Sequence, residues 1–154
     1  MSKNYENKLL SLGISLPDAP APAANYVPYV VVGDMVYISG QISGDANGRI
    51  NGKLGKNFSV EEGQLAAKTC GINLIAQLKS ACGGDLDRLV QVVKLGGFVN
   101  CTSDFEDHPK VINGASDLMV EVFGEAGKHA RAAVGSSSLP LGVAVEVEGI
   151  FQIK

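Results

Sequence analysis

Apolar and polar positions change their period several times along this chain, and each change marks an element. Over residues 3–12, Leu9, Leu10 and Leu12 give one apolar side to a short helix that Ser2 can cap and Gly13 can end. Residues 14–25, ISLPDAPAPAAN, hold too much proline for a helix or a central strand, which predicts an extended arm. Residues 27–32 and 35–39, rich in Val, Ile and Tyr, flank Gly33-Asp34 and predict a hairpin. Two turn dipeptides, Asn47-Gly48 and Asn51-Gly52, make residues 42–57 an irregular excursion. Ser59 and Glu62 form a capping box, and Leu65, Ala66, Ile72, Ile75 and Leu78 follow at helical spacing as far as Gly83-Gly84. Residues 89–99 form a continuous β-rich run and predict a central strand buried on both faces, with Gly96-Gly97 marking a bulge or a close backbone approach. A second long helix is predicted from Pro109 to Phe123, then two strands, 131–138 and 143–153, joined by Leu139-Pro140-Leu141-Gly142.

The order β-β-α-β-α-β-β behind a small helix predicts an α+β domain spanning residues 1–154, with residues 1–25 as helix and arm. Both long helices would cover one face of the sheet. The other face is apolar at most positions, so it is expected to meet further copies of the chain. Composition narrows the function. The chain of 154 residues is 45% hydrophobic and carries 13 basic against 16 acidic residues, a net charge of −3. No basic stripe is present, which argues against a nucleic-acid partner. The three cysteines, Cys70, Cys82 and Cys101, have no metal-type spacing, and Cys70 and Cys82, in a helical pattern, read as reduced, buried thiols. With no signal-type leader and no membrane-length apolar run, a cytoplasmic protein without a membrane partner is expected.

The familiar catalytic motifs are missing: there is no phosphate-binding glycine loop, no dinucleotide fingerprint and no nucleophile elbow. His108 and His129 read as solvated loop histidines. Arg131 stands out, because it opens a strand of small and apolar residues and its permanent charge needs a partner. Glu146 on the following strand is positioned to come back beside it, with Glu148 of the same parity as a competitor. Two readings stay open: a structural ion pair, or a fork presented to a ligand carboxylate with Glu146 handling a proton or water.

Residues 129–150, HARAAVGSSSLPLGVAVEVEGI, resemble the C-terminal signature of the Rid/YjgF family: an arginine opening a strand, Leu-Pro in the turn and an acid-bearing strand. Tyr26 and the block GDMVYISGQ at 33–41 resemble its N-terminal strands, and Asn113 matches a family asparagine. The resemblance implies a chorismate-mutase-like sandwich, a mixed sheet with two helices on one face. It also implies a homotrimer with clefts between subunits, and hydrolysis of small 2-imino or enamino acids to 2-keto acids and ammonia. In that scheme Arg131 binds the substrate carboxylate and Glu146 positions or activates water. Tyr26, Gly40 and Asn113 line the cleft, and neither cofactor nor metal is needed. Ala133 stands where typical deaminases have cysteine, and His129-Ala130 where they have Pro-x, so the chain resembles a divergent, longer subgroup. The family's older label implies RNA cleavage with inhibition of translation, and a non-catalytic carboxylate-binding trimer is a third possibility.

Overall fold

One mixed five-stranded sheet carries the structure, a computed structural model that describes residues 3–22 and 24–154. The helices are α1 (Tyr5–Ser11), α2 (Val60–Ala81) and α3 (His108–Phe123). The strands are β1 (Tyr29–Val32), β2 (Met35–Ile42), β3 (Gly44–Asp45), β4 (Gly48–Arg49), β5 (Leu89–Asn100), β6 (Ala130–Ser136) and β7 (Val145–Ile153). The sheet runs β1-β2-β7-β5-β6, and the small pair β3-β4 stands apart around a turn at Ala46-Asn47, one residue ahead of the predicted Asn47-Gly48. Only β5 and β6 are parallel; the other neighbours are antiparallel.

The capping box at α2 forms as expected: Glu62 N–H donates to Ser59 Oγ at 3.1 Å, and Ser59 N–H donates to Glu62 Oε1 at 3.0 Å. At α1 the cap is Asn4, whose Oδ1 accepts from Asn7 N–H, while Ser2 lies outside the described residues. Both long helices pack on the same face of the sheet. Leu74, Ile75, Ile112 and Leu118 meet Leu95, Val99, Val145 and Phe151 there, all with at most 1% exposure. The helices touch closely because Gly114 lacks a Cβ. One added there would lie 2.0 Å from the backbone oxygen of Gln64 in α2. Among the described residues no helix is long and apolar enough to cross a membrane.

Two sequence expectations need correction, and one pair of alternatives is decided. The last two strands do not form a hairpin, since β5 lies between β6 and β7. The β5 strand alternates between core and open face, so within one chain it is covered on the helix side only. Its Gly96-Gly97 is a close approach and no bulge: a Cβ at Gly97 would meet Ile112 at 2.6 Å, and the register shifts of β5 fall at Leu89/Gln91 and Val92/Lys94. The uncovered face presents Tyr37, Val30 and Val134, each close to half exposed.

Candidate functional site

Arg131 sits on the edge strand β6. Its partner Leu95 faces the core, so the Arg131 side chain emerges on the helix side, under α3. There Nη1 donates to Asn113 Oδ1 at 2.9 Å and to Ser116 Oγ at 3.0 Å, and Nη2 donates to the Pro109 carbonyl at 3.2 Å. Asn113 and Ser116 share one face of α3 because they are three residues apart. The three bonds use three of the five N–H groups of the guanidinium. Nε–H and one N–H of Nη2 have no acceptor among the described residues, and none of the ion pairs there includes Arg131. All three acceptors are neutral, so a half-buried cation stands without a counter-charge.

Behind this cluster lies His129. Its Nδ1 is 2.7 Å from the Gly127 carbonyl and its Nε2 is 2.9 Å from Ser116 Oγ, so it is a tied residue and no solvated loop histidine. His108 is also tied. It begins α3, lies 3.4 Å from Cys101 Sγ through Nε2 and meets Phe105 edge to face. Cys70, Cys82 and Cys101 are free and buried. Burial pushes the Cys70 and Cys82 thiols upward, which makes them poor nucleophiles.

Glu146 belongs to a different cluster. Val145 and Val147 turn into the core, so Glu146 between them turns to the open face. The β2 register shift between Ile38 and Gln41 brings Gly40 directly over it. A Cβ at Gly40 would lie 2.2 Å from Glu146 Oε2, so only glycine leaves room for this carboxylate. Partial burial raises the proton affinity of Glu146, and the charge of nearby Glu148 raises it further. Tyr26 and Gly40 line one cleft with Pro20, Pro22 and Asn73. That cleft holds only ≈ 70 Å³, well under the roughly 300 Å³ at which small-molecule pockets begin.

The predicted site residues thus fall into two groups: Arg131 with Asn113, and Gly40 with Glu146 against it and Tyr26 in the cleft beside it. The expected approach of Glu146 to Arg131 does not occur within one chain. Arg131 shares a row with Leu95 and Gly149. Glu146 is three residues, about 10 Å, further along β7 and two strand spacings, again about 10 Å, across the sheet. It also faces the opposite side. The structural ion pair is therefore excluded within the chain, for Glu148 as well as for Glu146, since both face away from α3. Ser116 and His129 were missed by sequence reasoning. The signals that could have found them are the i, i+3 step from Asn113 and the i, i−2 strand parity with Arg131. Among the described residues no group of three or more His, Cys, Asp or Glu could hold a metal ion.

Residues 6–150 match the YjgF/chorismate-mutase-like family, a family also labelled endoribonuclease. Protein TCP17 of Trypanosoma cruzi is 48% identical over 147 residues, 94% of this chain and 91% of that one. A 2-iminobutanoate/2-iminopropanoate deaminase of Dermatophagoides farinae is 32% identical, covering 92% of this chain and 95% of its own. Among solved structures, Atu1372 of Agrobacterium tumefaciens, of unknown function, superposes with a TM-score of 0.91 at 42% identity over 97% of this chain and 92% of that one. The TdcF protein of E. coli, solved with bound serine, superposes with a TM-score of 0.63 at 25% identity over 88% and 94%.

Proposed function

Since this chain belongs to the YjgF/chorismate-mutase-like family, we propose that it hydrolyses small 2-imino or enamino acids to 2-keto acids and ammonia. The observation that carries the reading is Arg131: a half-buried guanidinium with three neutral acceptors, no carboxylate beside it, and two N–H donors left over. A small carboxylate is the ligand such a fork accepts best, through two parallel charge-assisted bonds. The relatives named as imine deaminases, and a family structure holding serine, support a small amino-acid-derived ligand.

Two half-sites then need to meet. Arg131 and Asn113 from one protomer, with Tyr26, Gly40 and Glu146 from the next, give a complete cleft in a cyclic trimer. The edge position of β6, the apolar open face and the small volume at Tyr26 and Gly40 all support this arrangement. The chemistry is plain hydrolysis. Arg131 holds the carboxylate, and Glu146 takes a proton from water as its oxygen adds to the carbon of the protonated imine. The resulting carbinolamine takes that proton on its nitrogen and expels ammonia, while its hydroxyl proton returns to Glu146 as the carbonyl forms. A carboxylate whose proton affinity has been raised by burial is a stronger base than an exposed one. Neither step calls for a cofactor.

The ribonuclease reading has less behind it, since the net charge of −3 offers no track for a phosphate backbone. The test is release of ammonia and keto acid from imines generated in situ from a panel of amino acids. Acceleration with at least one small aliphatic imine is expected. No acceleration with any of them contradicts the proposal.

A further inference from the structure

With a neutral imidazole at His129, the hydrogen bonds behind Arg131 have one consistent polarity. The Gly127 carbonyl can only accept, so its 2.7 Å contact puts a hydrogen on His129 Nδ1. In the neutral ring Nε2 is then an acceptor, and the Ser116 hydroxyl 2.9 Å away donates to it. That spends the single hydroxyl hydrogen and leaves Ser116 lone pairs for Arg131, whose Nη1–H arrives at 3.0 Å. The starting point of the relay is itself fixed. A Cβ on Gly127 would lie 2.1 Å from the Met119 carbonyl oxygen, so the turn Gly124–Gly127 is seated directly on α3. The carbonyl that begins the relay and the serine that ends it are therefore held by the same helix.

We infer that Ser116 and His129 are positioning residues that aim the Arg131 fork at the substrate carboxylate, an inference that rests on the carboxylate reading of Arg131 given above. An arginine side chain is long and flexible, and a two-point grip needs both N–H vectors aligned at once. Asn113 and Ser116 together occupy Nη1, which fixes the plane of the guanidinium. The donors left over belong to Nε and Nη2, the two nitrogens that form its other edge. His129 touches Arg131 only through Ser116. Its part is to keep the Ser116 hydroxyl turned so that an oxygen lone pair, and never the hydrogen, faces the cation.

The test uses pyruvate, a 2-keto acid of the product class, titrated calorimetrically into the full-length protein. Its companion is the KM and kcat split with imines made in situ. Ser116→Ala and His129→Ala are expected to weaken pyruvate binding and raise KM about tenfold, with kcat within about twofold. Ser116→Thr keeps the hydroxyl, and His129→Gln places an oxygen acceptor near the position of Nε2, so both are expected to recover to within about threefold. Nitrogen-15 NMR of the imidazole should show the Nδ1–H tautomer. Unchanged pyruvate binding in both alanine variants, while Arg131→Ala abolishes it, overturns the inference and leaves the carboxylate reading standing. Wild-type binding by Arg131→Ala overturns both. If an alanine variant fails to fold, the tautomer in the wild-type protein decides, and an Nε2–H ring contradicts the relay.

Discussion

A charged group drawn partly out of water and given only neutral acceptors is an incomplete electrostatic unit, and Arg131 is in that state. Its chemistry predicts two outcomes that separate charge from geometry. Arg131→Ala should lower affinity for a small 2-keto acid by about a hundredfold, the loss of two charge-assisted bonds. Arg131→Lys should recover only part of this, because an ammonium lacks the fork. Isothermal titration with pyruvate checks both. Glu146 predicts a trade between stability and activity. Its folded proton affinity is raised above the unfolded value by burial and by Glu148. Its full contribution to stability is therefore present in acid, below its unfolded range, and is lost as pH rises through the raised folded value. Glu146→Gln should consequently melt higher than wild type at pH 7 and close to it near about pH 4, while losing about a hundredfold or more in deamination. Thermal melts at the two pH values together with the rate assay test this. Arg131 was legible because a lone arginine among small residues stands out in any strand. Ser116 and His129 were not, since serine and histidine are unremarkable in a helix and a loop until the fold brings them to one guanidinium.

At the scale of elements, local signals were legible and strand order was not. The capping box, the turn around Asn47 and the ends of both long helices follow from backbone hydrogen bonding within a few residues, which sequence records directly. The placement of β5 between β6 and β7 is a long-range pairing. Residues 137–144 are long enough to close a hairpin or to cross a neighbouring strand, and the expected hairpin was the simpler choice. That one difference moves Glu146 away from Arg131. Helix packing depends on a similarly remote contact. Gly114→Ala puts a methyl group against the Gln64 carbonyl and should cost about 1–3 kcal/mol, lowering the melting midpoint by roughly 3–10 °C. Calorimetry on this variant gauges how tightly α2 and α3 are held.

Across the whole molecule, the open face and the proposed divided site lead to the same prediction. Tyr37, Val30 and Val134 leave apolar area that a second copy would cover, and in the proposed trimer the two residue groups of neighbouring protomers would form one cleft. Val134→Lys places a charge on that face and should shift the assembly toward monomers, as light scattering would register, with deamination falling in parallel. The most direct measurement mixes two variants. Arg131→Ala and Glu146→Gln are each expected to be inactive alone, because in the proposed trimer each would spoil every site. Co-expressed and co-purified in equal amounts, they should regain about a quarter of wild-type deamination. In a randomly mixed cyclic trimer about one interface in four joins an intact Arg131 to an intact Glu146. No recovery in mixed trimers, or full activity in either variant alone, contradicts a site shared between protomers.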